Sequence, residues 1–238
     1  MTGKPGTVSL PTTSSSVVIR ISNPQALVNH ETRVENEVAA MMLMRDALSA
    51  YISQIVPQVY DWTSASPANT ILGYILQEYK PGVGLDTTFG LGGSSDQESS
   101  FQEFDSVKKQ DLLRQIAEVL KLIQSYKLPP TVKGYGGLRF DEAARIITGP
   151  TTIPCGGPFM TYPEMYAQML QHQLGEADRN TELVRGWRTK DRNTGSTADH
   201  NDLRDRLDTL ATAKDGIARI VEENSVQRPT LVHGDFGE

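Results

Sequence analysis

The stretch "PTLVHGDFGE", residues 229–238, poses the question on which the fold turns. Pro229 to Val232 read as a short apolar run entered from a proline. His233 to Glu238 then make a compact polar tip with two glycines. A strand that delivers His233 and Asp235 at a glycine-bearing turn is a common way to build a catalytic loop. Two polar side chains capping a turn would leave the same trace. The segments upstream therefore have to decide between the two.

Composition narrows the classes first. The chain has 238 residues, enough for one large domain or two small ones. Its hydrophobic content of 38% is low for a packed globule but above the disordered range. The net charge is −6 and no lysine/arginine-rich block occurs, which argues against nucleic acid as a partner. The single cysteine, Cys155, can form neither an internal disulfide nor a Cys-based metal cluster, as expected for a reducing compartment. The N-terminal "MTGKPGTVSLPTTSSS" lacks the apolar core of a secretory signal. No run approaches the roughly 20 apolar residues of a membrane span. The expectation is a soluble, cytoplasmic protein.

Along the chain, "TVSL" (7–10) and "SVVIRIS" (16–22) flank "PTTSS" and predict two short strands around a turn. Residues 29–51 predict one long helix. Val34, Val38, Met41 or Met42, and Leu48 recur near helical spacing, and Asn29 is placed as its N-cap. "QIVPQVYDWT" (54–63) contains a proline and reads as an extended connector or edge strand. "TILGYILQEY" (70–79) reads as a buried strand that breaks at Pro81 and Gly82. Residues 87–106 read as a mobile surface loop, rich in glycine and serine. The clearest amphipathic helix is 107–128, with Leu112, Leu113, Ile116, Leu120 and Ile123 on one face. Residues 129–141 read as turn-rich and 148–158 as a polar linker. Tyr162 to Leu174 reads as helix, 175–199 as a polar loop and 201–223 as a further helix. No internal repeat occurs at a fixed period. The order predicts α+β, in two lobes.

The segments "VVIRIS", "ENEVAAMMLM", "VPQVYDW", "YILQEYKPGVGL", "GYGGLRFD" and "LVHGDFGE", taken in order, resemble the aminoglycoside phosphotransferase family. These are kinase-like small-molecule phosphotransferases that include choline-kinase-like members, and the set is most similar to a divergent branch common in fungi. The resemblance spans nearly the whole chain. It implies a partial bilobal protein-kinase-like fold. Residues 1–85 would be a small strand-plus-helix lobe, 86–106 a flexible loop, and 107–238 a mainly helical lobe.

The resemblance also implies roles. Asp235 matches the family's catalytic aspartate, which orients the attacking hydroxyl, and His233 its supporting histidine. Arg20 matches the strand cation that holds nucleotide phosphates. The family often has lysine there, and arginine's planar fork is not equivalent to a point charge. Glu37 matches the helix glutamate that braces this cation, with Glu35 as the alternative. An exposed arginine and a solvated helix glutamate would look the same in sequence. Backbone groups of Gln77, Glu78 and Tyr79 would meet an adenine edge, although a strand ending in a turn explains those residues too. ATP and Mg²⁺ are the implied cofactors, and a small hydroxylated or amino-bearing molecule the implied acceptor.

Three groups of residues stay outside the implied site. His30, His172 and His200 are scattered, without metal-ligand spacing. "GYGGLRF" lacks the P-loop lysine and reads as a tight turn. Trp62, Tyr79 and Tyr135 are candidates for stacking on a ligand, but aromatic residues usually serve the core.

One departure from the family pattern weighs on function. The family places an Asn five residues after the catalytic Asp and a further Asp on the next strand, and these hold Mg²⁺. The sequence ends three residues after Asp235. The expectation is therefore a partial domain with an incomplete metal site and no transfer activity as it stands. A pseudokinase-like binding module or a non-functional fragment is the alternative. Apolar surface left open on helices 107–128 and 201–223 would then lower solubility or call for a partner. Residues 159–200, the segment that sets specificity in the family, lack a dense acidic lining for a polycationic drug, so the acceptor and the oligomeric state stay open.

Overall fold

The computed structural model describes residues 3–12, 16–26, 28–51, 54–66, 72–82, 106–179 and 229–231, with single helical positions at Thr209, Thr212, Gly216 and Arg219. His233 and Asp235, the loop 87–105 and most of the predicted helix 201–223 lie outside the described residues. The architecture is α+β. Its elements are β1 (Val17–Ile21), α1 (His30–Leu48), β2 (Val59–Thr63), β3 (Tyr74–Glu78), α2 (Ser106–Ser125), β4 (Gly137–Phe140), β5 (Ile146–Gly149) and α3 (Tyr162–Arg179). No helix among the described residues is long and apolar enough to cross a membrane.

β1, β3 and β2 form an antiparallel sheet in that order, and β4 and β5 form a hairpin. The central place goes to β3, the segment richest in Ile, Leu and Tyr. The segment with Pro57 becomes the edge strand β2, where a missing N–H costs least. β2 carries a bulge between Val59 and Asp61. "TVSL" is not a strand. Residues 3–10 instead lie along β2 through Val8 N–H to Val59 O (2.9 Å), Trp62 Nε1–H to Pro5 O (2.8 Å) and the Lys4–Asp61 ion pair (2.9 Å). Only one ladder bond forms because the proline and glycine flanking this segment break its extension.

α1 begins where its cap residue predicts: Asn29 Oδ1 accepts from Glu31 N–H at 3.2 Å. It buries two faces. Val34, Val38 and Met41 pack on Val59 and Ile75 of the sheet. Ala39, Leu43 and Leu48 pack with Ile123 of α2, Ile146 of β5 and Leu231. α1 is thus the middle layer, with the sheet on one side and α2 with the hairpin on the other. The single stripe read from the sequence, 34/38/41 or 42/48, mixes the two faces, since Leu48 and Met42 belong to the second.

The hairpin β4–β5 falls where a turn and a linker were expected. Its binding to α1 explains how so short a hairpin persists. Leu138 N–H donates to Asn36 Oδ1 at 2.6 Å and Phe140 N–H to Glu35 Oε1 at 2.7 Å. Two α1 side chains satisfy the edge of β4 as a third strand would. Phe140 also stacks on Trp62 of β2, with ring centroids 6.1 Å apart. Glycines before and at the start of β4 allow backbone to touch backbone. A Cβ at Gly134 would sit 2.3 Å from Phe159 O, and one at Gly137 2.2 Å from Pro150 O. "GYGG" is therefore neither a phosphate loop nor a bare turn but a close approach of main chains, joined by Tyr135 and Phe159 N–H···O bonds of 2.8 Å each way.

The β4–β5 turn is built on Asp141. Its Oδ1 accepts from Ala143 N–H (3.0 Å) and Arg145 N–H (2.8 Å). Ala144 is forced to φ 59°. A left-handed conformation costs an L-residue about 1–2 kcal/mol, and glycine escapes it. Ala144→Gly is therefore expected to stabilise the protein by about 1 kcal/mol, part of the relief going to glycine's larger unfolded-state entropy. Chemical denaturation of the two proteins checks this, and an unchanged or lower midpoint would refute it.

Two helices differ from expectation at their margins. α2 ends at Ser125, and its predicted apolar face is only partly covered: Ile123 is buried, whereas Leu113 is 64% exposed. α3 runs to Arg179, five residues into the segment read as loop, and its last turn is tied by Arg179 to Glu176 (2.7 Å) and to Gly175 O (3.1 Å).

Candidate functional site

β1 alternates. Val17, Ile19 and Ile21 point away from α1, while Val18 and Arg20 point towards it. The α1 face opposite presents Glu37, and the Arg20 guanidinium Nη1 hydrogen-bonds to Glu37 Oε1. The alternative partner is otherwise engaged, since the Glu35 carboxylate holds the hairpin. The strand cation and helix carboxylate expected from sequence are thus brought together. The Arg20 side chain is 48% exposed, so its outer edge faces solvent.

The three connector residues differ among themselves. Ser22 N–H donates to Gly73 O at 2.8 Å, and the register runs Arg20–Ile75, Val18–Gln77. Antiparallel alternation then makes Val18–Gln77 a hydrogen-bonded pair, which uses both backbone groups of Gln77. Glu78 N–H donates to Gln58 O at 2.8 Å. Gln77 backbone and Glu78 N–H are therefore committed to the sheet and are not open to a base edge. Tyr79 lies beyond the end of β3. Tyr79 is 50% exposed. From Ile75, opposite Arg20, to Glu78 is three residues of strand, roughly 10 Å.

Polar side chains gather at this end of the sheet. Lys80 Nζ donates to Glu78 Oε1 at 2.7 Å, and Gln58 N–H to Glu78 Oε2 at 3.1 Å. The Lys80 hydrogen bond, against a smaller opposing effect of burial, holds the Glu78 carboxyl below its usual range. Arg45 extends the sheet-facing stripe of α1 and donates from Nη2 to Pro57 O. Burial lowers its guanidinium pKa, and the nearby Glu78 charge opposes that. Arg45 Nε and Gln77 Oε1 are buried without a hydrogen-bond partner among the described residues. The layer between α1 and the sheet thus turns from apolar at Val38 and Ile75 to polar and under-satisfied beside the connector. Sequence reasoning missed Arg45, which reads as an ordinary charge in the last turn of a helix. Its one signal is the position, four residues beyond the buried Met41.

The remaining candidates take structural places. Trp62 is held by Pro5 O and Phe140. Tyr135 meets Tyr162 edge-on at 5.8 Å. His30 and His172 stand apart on α1 and α3. Among the described residues no cluster of three or more His, Cys, Asp or Glu side chains is placed to hold a metal ion. The Mg²⁺ implied by the resemblance finds no ligand set among them. Comparison with protein-family models, with curated proteins and with solved structures finds no match.

Proposed function

We propose that the chain carries the nucleotide-holding part of an ATP-dependent phosphotransferase of kinase-like, bilobal fold, whose acceptor is a hydroxyl of a small molecule. The observation that supports this reading is the Arg20–Glu37 pair, formed between β1 and α1 and standing about three strand residues from the end of β3 at Glu78. An exposed ion pair of this kind returns only about 0–1 kcal/mol of stability. A guanidinium held in place by a carboxylate is, by contrast, well suited to grip phosphate oxygens through two parallel N–H bonds. In this reading the base edge meets Glu78 O and Tyr79, the phosphates meet Arg20, and Asp235 orients the acceptor hydroxyl with His233 in support. The composition and the single cysteine favour the cytoplasm as its place of action, with nucleotide and acceptor as its partners.

Arg20→Ala is expected to weaken ATP binding by about tenfold to a hundredfold, since a charged hydrogen-bonding partner contributes about 1.5–3 kcal/mol and each tenfold is about 1.4 kcal/mol. Its melting temperature should change little. Titration calorimetry with ATP on both proteins tests this. Failure of the unmodified chain to bind ATP, or equal affinity in the variant, would overturn the reading.

A further inference from the structure

α1 runs alongside β3 in the same direction. Near the start of both, Val34 lies against Gly73, where an added Cβ would meet Val34 Cγ2 at 2.8 Å. One turn further on, Glu37 holds Arg20, the residue opposite Ile75. In the last turn, Arg45 donates from Nη2 to Pro57 O. The next residue, Gln58, is locked to Glu78 in both directions: Glu78 N–H donates to Gln58 O at 2.8 Å, and Gln58 N–H to Glu78 Oε2 at 3.1 Å. Lys80 adds a third bond, donating to Glu78 Oε1 at 2.7 Å. An unbroken path of hydrogen and peptide bonds therefore leads from α1 through Arg45 to the connector.

Packing alone does not account for Arg45. Its position continues the sheet-facing row of Val34, Val38 and Met41, where a further apolar side chain would suit the layer. Instead its Nε is buried without a partner among the described residues, which is a net loss to folding. Burial lowers its guanidinium pKa, in keeping with a charge placed where it is poorly solvated. Local rules are broken in this way chiefly beside functional sites.

We propose that Arg45 is a positioning residue for the nucleotide base: through Pro57 O and Gln58 it fixes Glu78, and so holds the connector in register with the phosphate grip of Arg20. Arg45 itself does not touch the nucleotide. Glu37 and Arg45 are eight residues apart on α1, about 12 Å along the helix axis. That is close to the roughly 10 Å of strand between the level of Arg20 and Glu78. One helix thus sets the separation of the two ends of the ligand. The inference rests on the nucleotide reading above and adds what keeps its two contacts aligned.

Titration calorimetry with ATP and with inorganic tripolyphosphate, which lacks the base, tests this on the unmodified chain, Arg45→Met and Arg45→Lys. Arg45→Met keeps an unbranched stem and removes every donor. It is expected to weaken ATP about three- to tenfold, what an ordinary hydrogen bond to the base is worth, and to leave tripolyphosphate unchanged. Arg45→Lys can still donate to Pro57 O and should recover most of the ATP affinity. Arg20→Ala should weaken both ligands. Arg45→Met should melt at or above the temperature of the unmodified chain, since it removes a buried unpaired donor. A lower melting temperature with an unchanged ratio of ATP to tripolyphosphate affinity would make Arg45 a packing residue only. That result, an equal loss for both ligands, or unchanged ATP affinity in Arg45→Met would overturn the proposal while leaving the nucleotide site in place. If the unmodified chain binds neither ligand, the nucleotide reading fails and the proposal with it.

Discussion

Ile75→Ala is expected to cost about 2–5 kcal/mol of folding stability, the range for truncating a well-packed isoleucine. Ile75 lies on the central strand and is 2% exposed. It touches the layer formed by Val34, Val38, Met41 and Val59, where β2, β3 and α1 meet. Neighbours fixed on both flanking strands and on the helix cannot close the cavity without moving the sheet. For a chain of this length each kcal/mol corresponds to roughly 2–4 °C, so the melting temperature should fall by roughly 5–20 °C. Leu113→Ala, at a position 64% exposed, is the control and should stay within about 0.5 kcal/mol. Thermal unfolding of the three proteins decides the matter. Similar melting temperatures for Ile75→Ala and Leu113→Ala would mean that the α1–sheet layer is not the principal core.

Asp235→Asn carries the largest expected effect on chemistry. In a form of the protein that transfers phosphate from Mg-ATP to a small alcohol, turnover should fall by about 10²- to 10⁴-fold. That is roughly 3–5 kcal/mol of barrier. Under the proposed division of labour, ATP is held by Arg20 and the connector backbone. Asp235 acts on the acceptor hydroxyl. Asparagine preserves the shape but takes no proton, so the loss should fall on turnover while ATP affinity stays nearly unchanged. Single-turnover assays beside calorimetric ATP titration separate the two. Retention of turnover in the variant would remove Asp235 from the proposed mechanism.

The two substitutions probe different kinds of legibility. The burial of Ile75 could be read from "YILQEY", because a run of apolar and aromatic residues stopped by Pro81 and Gly82 describes a central strand wherever it lands. The start of α1 was legible for a similar reason: Asn29 caps through a contact two residues away. The pairing of Arg20 with Glu37 came from the order of segments, and their side chains do meet. The hairpin was misread because its stability comes from residues about a hundred positions away, Glu35 and Asn36, whose side chains look solvated in sequence. The glycines at 134 and 137 were legible as special. Their reason, close contact with the carbonyls of Phe159 and Pro150, was not.

By itself, then, the sequence determined what depends on neighbours within a few residues: the helix cap, the strand at 17–21, the breaks after β3, and the amphipathic period of α2. Only the tertiary structure decided what depends on surfaces meeting. Packing made α1 a middle layer with two buried faces and sent residues 3–10 to the β2 edge. It committed the Gln77 backbone and the Glu78 N–H to the sheet. The physical reason is range: capping and periodicity are written in local hydrogen bonds and side-chain spacing, whereas burial and edge pairing depend on which distant groups arrive, and a single chain of letters carries no distance between them.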